Sequence, residues 1–336
     1  MSSIPVIDIS ALRSGDGAID AVAAALDSAC RDTGFFCIVR HGVSCDLMAS
    51  LDRSARTFFA LPDAAKAAVA MQHGGRAWRG WFPLGGEMTN GVPDRKEGIY
   101  FGEELDTDDQ RVADATPLHG ANLFPAQPAE LRDAVLAWLE ALTDVGHLVL
   151  GAIGVGLGLP REWFRSNLTA DPTILFRIFR YPPHDIAASS PLGIEAGEWG
   201  VAEHTDYGLL TLLLQDDRGG LQVHGRDGWI DVPPIDGSFV CNIGDMLERI
   251  TGGRYRSTPH RVRNTSGGER LSFPFFFDPS WHALIDPLPI DGGSQPDAET
   301  RARWDGRSVF DFEGTYGEYL TAKVAKVFPA LVSTLD

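Results

Sequence analysis

Cysteine is scarce in this chain of 336 residues, and its spacing points to no site. Cys30, Cys37, Cys45 and Cys241 form no CxxC pair, which argues against a zinc framework or a disulfide scaffold. Cys37 and Cys241 lie in the apolar stretches GFFCIV and SFVCNI, so we expect both to be buried core thiols. Thiols of this kind suit a reducing compartment, and the sequence predicts a cytoplasmic protein.

Positive charge and long apolar runs are also in short supply. The formal net charge of −17 argues against nucleic acid and anionic membranes as partners, because their phosphates would be repelled. The N-terminus shows no basic segment followed by an apolar one, so no secretory signal is expected. The longest near-continuous apolar run, LVLGAIGVGLGL at 148–159, is too short to span a bilayer and is expected to be a buried helix end.

The apolar content of 44% is sufficient for a sizeable core, and its pattern changes along the chain. Apolar residues in three-to-four spacing predict a long helix over about 128–155. After Thr173, short strands and turns follow one another, which is typical of a sandwich or small barrel. The sequence predicts one structural unit in three parts: a helical and strand region at 1–172, a catalytic β-domain at 173–285 and a helical segment at 286–336.

Two potential metal ligands, His204 and Asp206, stand directly before the apolar run GLLTLLLQ. In an extended segment, residues two apart face the same side, so these two side chains should converge. A third ligand must come from another histidine, and His260 in YRSTPHRV is favoured because it lies in a predicted strand. Two histidines and one carboxylate on one face of a metal are the arrangement of non-haem Fe(II) oxygenases. An isolated HxD is a weak signal, and a strand histidine is more often a satisfied core residue.

The last predicted strand, RLSFPFFFD, places Arg270, Ser272 and Phe276 on one face. A guanidinium beside a hydroxyl can clamp a carboxylate, and 2-oxoglutarate would supply one while its keto-acid end chelates iron. Pro274 within the strand predicts an edge strand or a bulge. An RxS pair alone is usually a surface pair. The three motifs in this order along the chain, HxD, a strand histidine and RxS, are far more specific than any one of them.

With these motifs in order, the chain resembles the iron(II)- and 2-oxoglutarate-dependent oxygenases of the isopenicillin N synthase-like superfamily. The resemblance runs over nearly the whole chain, through IPVIDIS, DTGFFCIVRHGV, ARTFFALP, RGW, DRKEGIYFG, RIFRYPP, HTDYGLLTLLLQD, GGLQV, GSFVCNIGDML, STPHRV and RLSFPFFFDP. It implies an α+β fold whose double-stranded β-helix (jelly-roll) core is flanked by N- and C-terminal helices.

The resemblance also implies roles for individual residues. The catalytic iron ligands fall on His204, Asp206 and His260, and the cosubstrate contacts fall on Arg270, Ser272, Tyr181 and Arg177. Arg177 belongs to an R-x-x-R-aromatic-P-P pattern, which is similar to that of bacterial ethylene-forming enzymes and departs from the asparagine-tyrosine-tyrosine-proline of many plant members. The alternative is that Arg177 forms an ion pair with a purely structural role.

The implied reaction uses Fe(II), O2 and 2-oxoglutarate as cosubstrate, with ascorbate as a stimulant, and releases succinate and CO2. The expected substrate is a small polar metabolite, an amino acid or a heterocycle, hydroxylated at an unactivated C–H, and the enzyme is expected to be a monomer or homodimer. Candidate substrate-pocket residues are Phe276, Tyr207, Trp81 and Arg79, and the irregular stretch around Trp78–Phe82 is a candidate lid.

Three alternatives to hydroxylation remain. The first is a non-haem iron oxidase that uses the same triad without 2-oxoglutarate, with Arg270 and Ser272 holding a substrate carboxylate. The second is an ethylene-forming enzyme, and the third is a non-catalytic metal-binding barrel, which would need a filled coordination sphere. Core packing is an equally good explanation for each candidate pocket residue.

Overall fold

A computed structural model describes residues 3–14, 19–89, 91–183, 199–290 and 308–327 of the chain. The strands in this part of the chain are β1 (Val6–Asp8), β2 (Phe35–Val39), β3 (Gly80–Phe82), β4 (Met88–Thr89), β5 (Val92–Pro93), β6 (Glu97–Gly102), β7 (Pro172–Tyr181), β8 (Val201–His204), β9 (Leu210–Gln215), β10 (Leu221–Gly225), β11 (Gly228–Val232), β12 (Phe239–Ile243), β13 (His260–Val262) and β14 (Arg270–Ser280). The helices are α1 (Ala11–Ser14), α2 (Ile19–Asp32), α3 (Cys45–Phe59), α4 (Asp63–Lys66), α5 (Gln110–Ala113), α6 (Glu130–Gly156), α7 (Trp163–Asn167), α8 (Asp245–Ile250) and α9 (Tyr316–Val327).

Two sheets form the core of the fold. The major sheet has the strand order β1-β2-β12-β9-β14-β7-β6-β3, and the minor sheet has the order β11-β10-β13-β8. Neighbouring strands are antiparallel except for β1 and β2, which are parallel. With helices packed at both chain ends, this is the predicted α+β jelly-roll architecture, and that prediction is confirmed.

The major sheet crosses the predicted boundary between the first and second parts of the chain. Strands β1, β2, β3 and β6 come from the N-terminal region and extend the sheet on both sides of its central strands. The N-terminal region therefore contributes to the same sheet as the β-domain. The division at 172 and 173 stays a prediction about domains, as do the oligomeric state and the cytoplasmic location.

Strand β14 shows how the alternation of the sequence is used. Leu271, Phe273, Phe275 and Phe277 point into the large apolar core, where all four are almost completely buried. The intervening residues line a cavity on the opposite face of the sheet. A strand that is apolar on one face and polar or mixed on the other can thus separate the core from a functional site.

Pro274 does not mark an edge strand or a bulge, so that prediction was wrong. Strand β14 is central, between β9 and β7, and Pro274 pairs with Leu213 of β9. The pairing with β7 passes from Ser272 to Phe275 without a shift in register, and the intervening pairs are missing. The sheet accommodates the absent N–H by leaving the ladder open on one side.

Helix α6 packs against the major sheet. It begins and ends within two residues of the predicted helix, and one side packs among α2, α3 and the major sheet. By length and composition alone, this helix is apolar enough to cross a membrane. Most of its apolar side chains, including Trp138 and Leu142, are buried within the protein core.

Candidate active site

The three predicted iron ligands come together at one end of the cavity. His204 ends β8, His260 begins β13, and the two residues are paired across the minor sheet. Asp206 follows β8 by two residues, so its side chain reaches the same point. One potential ligand atom from each residue lies within 4.8 Å of the others, and Oδ1 of Asp206 is 3.8 Å from Nε2 of His204 and 3.7 Å from Nε2 of His260.

Backbone carbonyls orient both imidazoles. Nδ1 of His204 lies 2.8 Å from the carbonyl oxygen of Ala202, and Nδ1 of His260 lies 3.2 Å from that of Thr258. A proton on Nδ1 in each ring leaves Nε2 with a free lone pair that faces the Asp206 carboxylate. Burial, with a further contribution from His260, lowers the pKa of His204 and so favours the neutral imidazole.

The carboxylate of Asp206 is held by two residues that the sequence did not indicate. Oδ2 accepts hydrogen bonds from Oγ1 of Thr211 at 2.5 Å and from Nδ2 of Asn242 at 2.7 Å. Burial opposes the charge, but the imidazoles and these donors hold the pKa of Asp206 below its usual value. Both residues are polar and inward-facing in otherwise apolar strands, LTLLLQ and FVCNI, and this was the signal that could have identified them.

The donor set fits a divalent iron ion. It offers two imidazole nitrogens and one carboxylate oxygen, the combination that leaves positions open for a cosubstrate and O2. Among the described residues, the cluster of possible metal ligands contains three side chains and no fourth. A filled structural site, which usually has four protein ligands, is therefore disfavoured.

The residues of the predicted carboxylate clamp line the same cavity. Arg270 is fully buried, and Ser272 and Tyr181 are nearly so. Nε of Arg270 donates to the carbonyl oxygen of Gly219 at 2.5 Å, and its guanidinium lies 4.7 Å from the centre of the Tyr181 ring. The hydroxyls of Tyr181 and Ser272 are 3.3 Å apart.

The charge of Arg270 has no acidic counterpart among the described residues. Nη1 is buried without a hydrogen-bond partner, and Nη2 has a contact of 3.5 Å to Oε1 of Gln215. A buried guanidinium in this state is costly unless an anion completes its surroundings. One carboxylate of 2-oxoglutarate, positioned by Arg270 and Ser272, fits this requirement.

A cavity of about 510 Å³ is lined by the triad, by the clamp and by residues of α9. Of the candidate pocket residues, Phe276 and Tyr207 line this cavity, and so does Arg177, one of the expected cosubstrate contacts. The Arg177 guanidinium lies over the rings of Tyr100 and Phe276, at 4.2 and 5.0 Å from their centres. Nη1 of Arg177 is 3.5 Å from Oε1 of Glu87, so the residue combines the cavity position with the alternative ion pair.

Two other candidates serve the protein scaffold. The guanidinium of Arg79 donates to three backbone carbonyls, those of Glu103, Leu118 and Gly120, although part of the side chain touches the cavity. Trp81 does not line the cavity, and its indole nitrogen donates to Glu97 at 2.9 Å. The placement of both side chains favours the core-packing explanation.

A buried charged network also borders the cavity, and the sequence did not single it out. Nζ of Lys96 lies 2.9 Å from Oε2 of Glu87 and 2.7 Å from Oδ2 of Asp94, and all three side chains are buried. Burial opposes the charge of Lys96, but the two carboxylates raise its pKa above the usual value. The hydroxyl of Tyr100 donates to Glu87 at 2.6 Å. The only signal was a group of charges in the irregular stretch GGEMTNGVPDRKEG.

Comparison with known proteins agrees with this geometry. Residues 4–127 match the family model of the N-terminal domain of non-haem dioxygenases, described from morphine synthesis. Residues 172–279 match the model of the 2OG-Fe(II) oxygenase superfamily. The second match contains the triad and the clamp.

Three relatives illustrate the match along the chain. A Dictyostelium discoideum protein named "Probable iron/ascorbate oxidoreductase" is 46% identical over 91% of this chain and 88% of its own. An Arabidopsis thaliana homoarginine-6-hydroxylase is 36% identical over 97% of this chain and 98% of its own. The crystal structure of a full-length Neurospora crassa protein in complex with alpha-KG and thymine superposes with a TM-score of 0.77 at 27% identity, over 96% of both chains.

The relatives match over nearly their full lengths, so the similarity covers the catalytic core and its flanking helices together. Since the ligand set fits Fe(II) and the buried Arg270 fits a carboxylate, we conclude that the chain belongs to the 2OG-Fe(II) oxygenase superfamily and is a 2-oxoglutarate-dependent dioxygenase.

Proposed function

We propose that the enzyme hydroxylates an unactivated C–H bond of a small polar metabolite, and that an amino acid is the substrate class best suited to the cavity. In the proposed reaction, the substrate, 2-oxoglutarate and O2 give the alcohol, succinate and CO2. Iron with its cosubstrate supplies the oxidising chemistry, while the protein supplies position and a dry environment.

The observation that carries the proposal is the state of Arg177. Its guanidinium makes one hydrogen bond to a described residue, the long contact to Glu87, and its Nε is buried without a partner. The side chain retains 18% exposure, towards the cavity. A guanidinium with unused donors beside the metal ligands can bind a substrate carboxylate in a bidentate manner.

The remaining residues have separable roles in this proposal. His204, Asp206 and His260 would hold the iron, and Arg270 with Ser272 would hold the far carboxylate of 2-oxoglutarate. Phe276 and the α9 residues Leu320 and Val324 line the cavity and would exclude water from the substrate. Tyr207 directly follows the ligand Asp206, and its ring faces the same space.

The names of the relatives support two substrate classes. One is a homoarginine-6-hydroxylase, which indicates an amino acid, and the Neurospora crassa structure contains thymine, a neutral heterocycle. Arg177 favours the amino acid, because a neutral heterocycle would leave its charge uncompensated apart from Glu87.

The test begins with an anaerobic titration of the Fe(II)-loaded protein with 2-oxoglutarate, followed by the visible charge-transfer band of the chelate. Amino acids and heterocycles are then compared by succinate release and by the mass of the product. We expect succinate in equal amount to a product that is heavier by one oxygen atom, with an amino acid as the best substrate. In the Arg177→Met variant, the KM for that substrate should rise while the titration with 2-oxoglutarate is unchanged.

Other outcomes would replace parts of the proposal. A preference for a heterocycle, with a KM that does not respond to Arg177→Met, would refute the amino-acid assignment. Ethylene as the main product from 2-oxoglutarate would refute hydroxylation. Oxygen uptake without succinate would indicate an oxidase that uses the triad alone, and Arg270 and Ser272 would then be assigned to a substrate carboxylate.

A further inference from the structure

The C-terminal helix α9 forms part of the cavity wall, although it is distant in sequence from the metal ligands. Leu320, Lys323 and Val324 of this helix line the cavity. The helix is seated by Tyr316 and Tyr319, whose side chains are buried. The cavity therefore has its observed shape only while α9 is in place.

Each of these tyrosines donates a hydrogen bond to a buried aspartate. The Tyr316 hydroxyl donates to Asp278 at the end of β14, and the Tyr319 hydroxyl donates to Oδ2 of Asp245 at 3.0 Å. Asp278 also accepts the backbone N–H of Leu209 at 3.2 Å. Both carboxylates are almost completely buried, so the loss of a donor would be unfavourable.

Asp245 contacts the segments of both Asp206 and His260, whereas Asp278 contacts the segment of Asp206 through the N–H of Leu209. Its backbone N–H donates to the carbonyl oxygen of Asp206 at 2.8 Å. Its Oδ1 accepts a hydrogen bond at 2.9 Å from the hydroxyl of Ser257, three residues before His260. On the other side, Oδ2 lies 3.6 Å from Nζ of Lys323, so α9 supplies both a hydroxyl and a positive charge to this carboxylate.

We propose that Asp245 is a positioning residue that couples the seating of α9 over the cavity to the placement of the metal ligands Asp206 and His260. If α9 departs, the Asp245 carboxylate loses the Tyr319 hydroxyl and the Lys323 ammonium while its other contacts hold it in the interior. The coupling works in both directions, so a metal that fixes Asp206 and His260 also stabilises the seated helix. This inference rests on the assignment of these two residues as iron ligands.

The first test is hydrogen exchange in the full-length protein, measured by mass spectrometry under anaerobic conditions with and without Fe(II) and 2-oxoglutarate. We expect the peptide that contains Tyr316–Val327 to exchange more slowly when both are bound, and by a larger factor than peptides from α2 on the far side of the core. Equal changes in the two helices would overturn the proposal, because general stabilisation would then explain them.

The second test compares the Fe(II) dissociation constants of three tyrosine variants. Tyr319→Phe should weaken Fe(II) binding by roughly two- to tenfold, the effect of one hydrogen bond, and should remove most of the protection of α9 by the metal. Tyr316→Phe loosens the same helix without touching Asp245 and should change Fe(II) binding less. Tyr255→Phe is the control, because its hydroxyl donates to Asp27 at 2.8 Å outside the cavity wall.

Asp245→Asn keeps the size of the side chain and should weaken Fe(II) binding by about 10- to 100-fold, as expected for a residue that orients metal ligands. Equal Fe(II) affinities in Tyr319→Phe, Tyr316→Phe and Tyr255→Phe would show that Asp245 has a structural role only. Failure of the ligand assignment gives a different result: the wild-type protein would bind Fe(II) in a manner that does not respond to His260→Ala.

Discussion

Two arginines face the cavity from neighbouring strands, and their surroundings are opposite in character. Arg270 of β14 is fully buried with no acidic partner among the described residues, whereas Arg177 of β7 is paired with Glu87 at 3.5 Å. A buried cation without a counter-charge destabilises the protein until an anion arrives, so ligand binding and stability are coupled strongly at Arg270. At Arg177, a substrate carboxylate must share the guanidinium with a carboxylate already present.

This difference is consistent with the proposal that the two arginines bind different ligands within one cavity. In the proposed site, Arg270 would bind 2-oxoglutarate, a cosubstrate that is the same in every catalytic cycle and that would complete the buried charge each time. The partly compensated Arg177 suits a substrate that enters and leaves with each turnover, because its departure leaves Glu87 in place. Substitutions at the metal site, at the two arginines and at Ser272 should separate these roles. Their effects on metal or ligand binding should decrease in that order.

The largest effect is expected when the metal is lost. His260→Ala removes one of three ligands and should abolish stoichiometric Fe(II) binding at low micromolar concentration, measured as iron per chain after anaerobic loading. If the iron also anchors the keto-acid end of 2-oxoglutarate, cosubstrate binding should fall with it, although Arg270 is intact. Unchanged iron stoichiometry would refute the ligand assignment, and retained 2-oxoglutarate binding would show that the clamp holds the cosubstrate alone.

Arg270→Met should produce the next largest effect, with two changes of opposite sign. The affinity for 2-oxoglutarate should fall by about 2–5 kcal/mol, as for the loss of a buried charge pair. The melting temperature of the ligand-free protein should stay equal or rise, because an uncompensated buried charge has been removed. Anaerobic titration and thermal melting with and without 2-oxoglutarate measure both changes. A lower melting temperature without ligand would contradict the account of Arg270.

Arg177→Met should lower the stability of the ligand-free protein and leave 2-oxoglutarate binding intact, the reverse of Arg270→Met. The melting temperature of the ligand-free protein should fall, because Glu87 loses one of its two positive neighbours and depends on Lys96. The expected loss of stability is about 1 kcal/mol, because the contact to Arg177 is long and Glu87 keeps its contacts with Lys96 and Tyr100. The rise in melting temperature caused by 2-oxoglutarate should remain, and only the KM for the substrate should increase. If this variant also loses the response to 2-oxoglutarate, Arg177 belongs to the cosubstrate site and the comparison fails.

The clamp was easier to predict from the sequence than the substrate region, for a physical reason. Strand alternation alone places Arg270 and Ser272 on one face of RLSFPFFFD, and residues two apart bring His204 and Asp206 together. The position of Glu87 could not be predicted in this way, because it comes from an irregular segment whose path depends on contacts with β7 and β6. Asp245 was likewise missed, since its function depends on α9, which is distant in sequence.

Pro274 illustrates the same limit within a regular element. Its lack of an N–H favours an edge position when the strand is considered in isolation. The structure places it in a central strand, because β14 can remain paired with β9 while the ladder to β7 is open at that position. The pairing of strands that are far apart in sequence decides which strand beside β14 lacks the hydrogen bond at Pro274.

Ser272→Ala should have the smallest effect on ligand binding, and it tests the clamp most directly. The hydroxyl of Ser272 is 3.3 Å from that of Tyr181, so its removal costs the cosubstrate one neutral donor while Tyr181 and the Arg270 charge remain. We expect the affinity for 2-oxoglutarate to fall by about 0.5–1.5 kcal/mol, with iron binding and ligand-free stability nearly unchanged. Anaerobic titration of Ser272→Ala beside Arg270→Met measures the ratio of the two effects. Equal losses of 2-oxoglutarate affinity in both variants would mean that the hydroxyl and the guanidinium act as one unit. The charge of Arg270 would then not be the main source of the binding energy of the clamp.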